Sequence, residues 1–148
     1  MTPESLFQIA NGAAMLCWIV LLVLHRQPVV TRVILPVGAV GLLSLLYGYL
    51  IVSGLDGWEG GFDSLSNVSL LFQNQTLLLA GWVHYLAFDL FVGCWEVRDA
   101  RRHDISIILI LPALVLTFMF GPIGLIAYFL IRFVRTGNAI LDDHLLSE

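Results

Sequence analysis

TLLLAGWVHYLAFDLFVGCW, residues 76–95, decides what kind of chain this is. His84 and Asp89 are its only imidazole and carboxyl side chains, it has no lysine or arginine, and nearly every other side chain is apolar, small or aromatic. An α-helix rises ~1.5 Å per residue, so a stretch of this length crosses the ~30 Å hydrocarbon core of a bilayer once. It predicts a transmembrane helix.

Three further apolar runs flank it: Ser5 to Leu24, Val33 to Ser53, and Ile105 to Ile131. The last is longer than one span needs and too short for two, and it contains Pro112 and Gly121-Pro122. It is expected to tilt, kink or protrude. The whole chain of 148 residues is 59% hydrophobic and 12% charged, with a mean hydropathy of +0.91. That leaves too little polar surface for a soluble domain. The expected fold is an all-α membrane protein. A single four-helix transmembrane domain fills residues 1–148, with spans near 5–24, 33–53, 76–95 and 105–131.

The seven basic residues are all arginine, and none lies within an apolar run. With no clustered basic patch on a solvated face, nucleic acid is not an expected partner. Arg26 and Arg32 follow the first run, Arg98, Arg101 and Arg102 follow the third, and the Gly54–Gln75 loop has no basic residue. The positive-inside rule makes the arginine-bearing side cytoplasmic. Four spans then place both termini outside, with Arg132 and Arg135 dissenting. The N-terminus, MTPESLFQIA, has neither a basic leader nor a small-residue cleavage site, and no transit segment is evident. The expected home is therefore a bacterial inner membrane, crossed several times. Cys17 and Cys94 lack any framework spacing and read as small buried hydrophobes.

In the outer loop, Leu65, Val68, Leu71 and Phe72 recur at helical spacing after Asp63, a candidate N-cap. This predicts a short interfacial helix between the second and third spans.

An aspartate at the centre of a span costs roughly 2.5–3.5 kcal/mol to insert, so Asp89 is the first place to look for function. On a helical projection Trp82, Tyr85, Asp89 and Glu96 share one stripe, and His84, Phe88, Phe91 and Trp95 another. His84 and Asp89 are about 140° apart around the axis, so they are not a direct pair. One reading makes them proton donor and acceptor in an apolar pocket; the other makes them interhelical hydrogen-bonding groups that lock the helices together. Pro122 would free the Phe118 carbonyl within a helix, which offers His84 a partner at similar depth. Gly121 and Gly124 read equally as close-packing positions or as a groove. No metal site or haem ligation is expected.

The segments Trp82 to Phe91, Arg98-Asp99-Ala100 and Phe120-Gly121-Pro122-Ile123-Gly124 together resemble the abscisic-acid-deficient-four-like family. The resemblance runs from about Phe62 to Arg132. Its members are small four-helix membrane proteins, and those of plants are required for neoxanthin formation in plastids. The resemblance implies isomerisation of an epoxy-carotenoid to an allene by an acid and a base, without a cofactor. It carries over Asp89 and His84 as candidate catalytic residues. Trp82, Tyr85, Phe118, Gly121 and Pro122 are the candidate substrate-binding residues. For a chain without a transit segment, it supports a carotenoid or isoprenoid dissolved in the membrane more than any named substrate. The alternative is a non-enzymatic pigment- or lipid-binding subunit that stabilises a partner complex. Expected partners are membrane lipid and a hydrophobic carotenoid or isoprenoid, with self-association left open.

Overall fold

The structure is a computed structural model that describes residues 2–137; the polar tail beyond them lies outside the described residues. Among these residues there are helices and no strands. Helix α1 covers Pro3–Val23, and α2, Val40–Ser53, continues from a π-helical stretch, Val30–Ala39. Helix α3 is Leu65–Leu71, α4 Gln75–Arg102, α5 Ile107–Phe120 and α6 Pro122–Thr136. Pro3–Val23, Val30–Ser53 and Gln75–Arg102 are each long and apolar enough to cross a membrane. The protein is all-α and built for a bilayer, as its sequence predicts.

Local chemistry explains the helix ends. The Thr2 side chain accepts from the Ser5 backbone N–H and caps α1, with Pro3 in the first turn, where its missing N–H costs nothing. Asn74 Oδ1 accepts from the N–H groups of Thr76 and Leu77 at the start of α4, while its Nδ2 donates to the Gly57 carbonyl. One side chain thus caps a span and ties down the loop before it. The interfacial segment is helical, but its cap is Ser64 rather than Asp63: Ser64 Oγ accepts from the Asn67 N–H at 3.2 Å. Asp63 instead accepts from the Asn67 side chain at 2.9 Å, a bond that holds its carboxyl below the usual aspartate pKa. Pro36 sits inside the π-helical stretch, where the wider turn accommodates a residue that cannot donate to the ladder.

The chain divides into two compact units, one ending at Cys94 and one beginning at Trp95. In the first, Ala10, Ala14, Trp18 and Leu21 form the buried face of α1. The core joins Ala10 and Ala14 to Leu43 and Leu50 of α2 and to Leu79, Ala80, Val83, Leu86 and Ala87 of α4. Small residues at the crossings let the backbones approach, the usual means of helix association in lipid. Gly93 belongs to this set: a Cβ there would collide with the Trp18 ring.

The second unit departs from expectation. Residues 105–131 are not one kinked span. Helix α5 runs on through Pro112 and stops at Gly121, whose φ of 45° turns the chain, and Pro122 opens α6 rather than bending a helix. Along the end of α4, the Ala100 carbonyl meets the Ile105 N–H and Glu96 meets Thr117, so α5 runs antiparallel to it. Trp95 meets Tyr128, and Asp99 meets Arg132, so α6 runs parallel to it. Helices α5 and α6 are therefore a hairpin. At ~1.5 Å per residue each arm is roughly 21–22 Å long, short of a ~30 Å core. Both open ends of the hairpin lie at the end of α4 that carries Arg101 and Arg102. The positive-inside rule applied to this arrangement leads us to expect Arg132 and Arg135 on the same side as Arg101 and Arg102.

A reporter fused to the C-terminus should accordingly behave as cytoplasmic. We expect bright green fluorescent protein and inactive alkaline phosphatase at that position. A cysteine at Ser66, in a background lacking Cys17 and Cys94, should label with an impermeant reagent from outside. An active phosphatase fusion would restore a fourth full span.

Candidate active site

Helix α4 carries the side chains that the sequence singles out. Asp89 is 8% exposed although it can ionise. The Tyr85 hydroxyl, one turn earlier, hydrogen-bonds to its carboxyl. Its Oδ2 has no hydrogen-bond partner among the described residues. One turn before Tyr85, the Trp82 ring lies 5.3 Å from the tyrosine ring, centroid to centroid. Trp82 Nε1 donates to Asn11 Oδ1 of α1 at 2.8 Å, and its ring lies 5.7 Å from Phe7. Trp82, Tyr85 and Asp89 thus form a continuous row from the start of α4 to a buried acid. A cavity of about 630 Å³ adjoins the head of that row, between the first turns of α1 and α4 and Phe72 after α3, with Trp82 in its wall. Such a volume is ordinary for a small-molecule site.

His84 stands elsewhere. Its ring is stacked on Phe88 at 4.6 Å and lies 5.5 Å from Tyr47 of α2, and the side chain is exposed. Phe88 and Phe91 beside it are exposed as well. The 3.6-residue periodicity separates this aromatic face from the Asp89 row, as the projection predicts. In the second unit, Phe118 lies on α5, Gly121 is the buried turn residue and Pro122 is exposed at the start of α6.

The second unit also holds a polar network that sequence reasoning missed. Arg132 is 1% exposed and pairs through Nε with Asp99 Oδ2 at 2.9 Å. Tyr128 donates its hydroxyl to the same oxygen at 2.6 Å. Arg132 Nη2 lies 3.0 Å from His103 Nε2, which must present its lone pair to accept that bond. The same Nε2 is 3.7 Å from Asp99 Oδ1. Thr117 donates to the buried Glu96 at 2.9 Å. The signal was present: the 3–4 spacing of Tyr85, Asp89 and Glu96 continues to Asp99 and His103, and Tyr128 and Arg132 lie one turn apart.

These features define an integral membrane protein with a partly unsatisfied acid held out of water in one unit and a neutralised ion-pair network in the other. The chain belongs to the ABA4-like family: the family model described as ABA DEFICIENT 4-like matches residues 5–128. No curated protein and no solved structure matches the chain.

Proposed function

We propose that this protein is an isomerase of a carotenoid or isoprenoid dissolved in the membrane, with Asp89 as its acid. The observation that carries the reading is the buried Asp89 carboxyl. One oxygen has no hydrogen-bond partner among the described residues, and Tyr85 and Trp82 lead from it toward a cavity of about 630 Å³. Family membership supports an epoxy-carotenoid or a related molecule as substrate.

The chemistry needs only protons and electron pairs. A protonated carboxyl gives its proton to the epoxide oxygen, and the carbon–oxygen bond breaks with its electron pair going to oxygen. A proton then leaves the adjacent polyene carbon, and its bonding pair completes the allene. Because the product has the atoms of the substrate, no oxidant or reductant enters. His84 lies on another face of α4, so the resulting Asp89 carboxylate is the nearer base, and one carboxyl can serve in both directions. Tyr85, hydrogen-bonded to it, orients the group. Trp82 gives a flat apolar wall for a polyene.

A second reading is a non-enzymatic pigment- or lipid-binding subunit. The exposed aromatic face of His84, Phe88 and Phe91 favours it, because a pigment or partner could cover that face. Production in a host that makes epoxidised carotenoids separates the two. The isomerase reading expects a new pigment of unchanged mass and a shortened chromophore. Co-purified but unaltered pigment would replace it with the binding reading.

A further inference from the structure

The cavity beside Trp82, which the isomerase reading takes as the approach to Asp89, has a second chemistry at its outer mouth. Its walls include three aromatic rings, Phe7, Phe72 and Trp82, and its polar groups are Glu4 and Gln75. Phe7 and Trp82 stand 5.7 Å apart and tilted by 41°, packed side by side in the cavity wall. Phe72 closes a third side, its ring against Gly81, where even a Cβ would press on it. Among the described residues Glu4 is the charged member of the lining, and its carboxylate accepts from Gln8 Nε2 at 3.2 Å.

Aromatic rings lining a cavity beside a carboxylate attract a cation, since the ring quadrupole is negative on its face and the carboxylate adds a full charge. The surroundings have the same sign. The outer loop carries Asp56, Glu59 and Asp63 with no basic residue. The depth is also defined. Glu4 and Gln75 lie in the first turns of spans, where headgroups sit, and Leu78 and Trp82 lie one to two turns deeper, at the level of acyl chains. A ligand here is cationic at its outer end and apolar below.

We propose that this groove binds one zwitterionic phospholipid of the non-cytoplasmic leaflet. Its ethanolamine or choline ammonium sits among Phe7, Phe72 and Trp82 against Glu4, and an acyl chain lies along Leu78. The lipid occupies the outer mouth between α1 and α4, above the Trp82 row.

Native mass spectrometry of the full-length protein, released from detergent micelles and titrated separately with palmitoyl-oleoyl phosphatidylethanolamine, phosphatidylcholine and phosphatidylglycerol, tests this. One of the two ammonium lipids should bind about tenfold more tightly than phosphatidylglycerol, the range of a desolvated cation–π contact with a carboxylate. The ethanolamine and choline arms then tell which headgroup fits. Glu4→Lys, an exposed change that spares the fold, should abolish the preference. Phe7→Leu should weaken the ammonium lipid without strengthening phosphatidylglycerol. Equal retention of all three lipids, or a preference that neither substitution moves, would overturn the proposal. Asp89→Asn should leave the lipid preference intact, so failure here is separable from failure of the isomerase reading.

Discussion

Arg132→Met is expected to unfold much of the second unit. Arg132 is fully buried, and its guanidinium neutralises Asp99, which also accepts from Tyr128. Removing the arginine leaves the Asp99 carboxylate buried without its counter-charge. Breaking such a pair by deleting one partner costs about 3–5 kcal/mol, far more than the pair contributes against apolar residues of the same volume. The consequence is a specific rescue. Asp99→Asn added to Arg132→Met removes both charges and keeps an oxygen for the Tyr128 hydroxyl, so most of the stability should return. Thermal unfolding of the purified protein in one detergent checks both. A single variant within about 1 kcal/mol of the parent would mean that water or lipid headgroups solvate this network, since exposed pairs are worth that little.

The hairpin gives the second large effect. A Cβ at Gly124 would fall on the backbone of Thr117, which cannot swing aside as a side chain can. Gly124→Ala should cost about 1–3 kcal/mol, the range for overpacking a tight contact, and Gly124→Val should yield little folded protein. Gly12→Ala and Gly41→Ala are the controls. Both glycines are helical with open space around them, so alanine should be neutral or stabilising by up to ~1 kcal/mol through helix propensity. If Gly124→Val folds as well as these controls, α5 and α6 do not pack as described.

The three full spans were legible because each is an unbroken apolar run of bilayer length bounded by polar residues, and that pattern needs no tertiary knowledge. Asp89 was legible for the same reason, as an ionisable group where lipid would be. The hairpin was not. From Ile105 to Ile131 the chain is uniformly apolar, so hydropathy cannot mark the turn at Gly121, and glycine followed by proline reads equally as a kink. What sets the turn is the meeting of Gly124 with Thr117, which is tertiary. Arg132 was misread in consequence: counted as a loop charge, it is a buried partner of Asp99. The Arg98–Arg102 linker was likewise expected as a loop, whereas it forms the last turns of α4. The projection separated the His84 and Asp89 faces but could not orient either one. Periodicity gives angles between residues on a helix; only the neighbouring helices say which face they cover.

The most direct test of the account is the product made by Asp89→Asn. The substitution keeps the size of the side chain and an oxygen for the Tyr85 hydroxyl, and it removes the exchangeable carboxyl proton. It should be compared with the parent and with His84→Gln at matched membrane levels, in a host supplying an epoxidised carotenoid that the parent converts. The account predicts a well-folded Asp89→Asn protein with conversion reduced by at least about a hundredfold, the lower range for loss of a general acid–base group, while His84→Gln retains most activity. Full conversion by Asp89→Asn would contradict it.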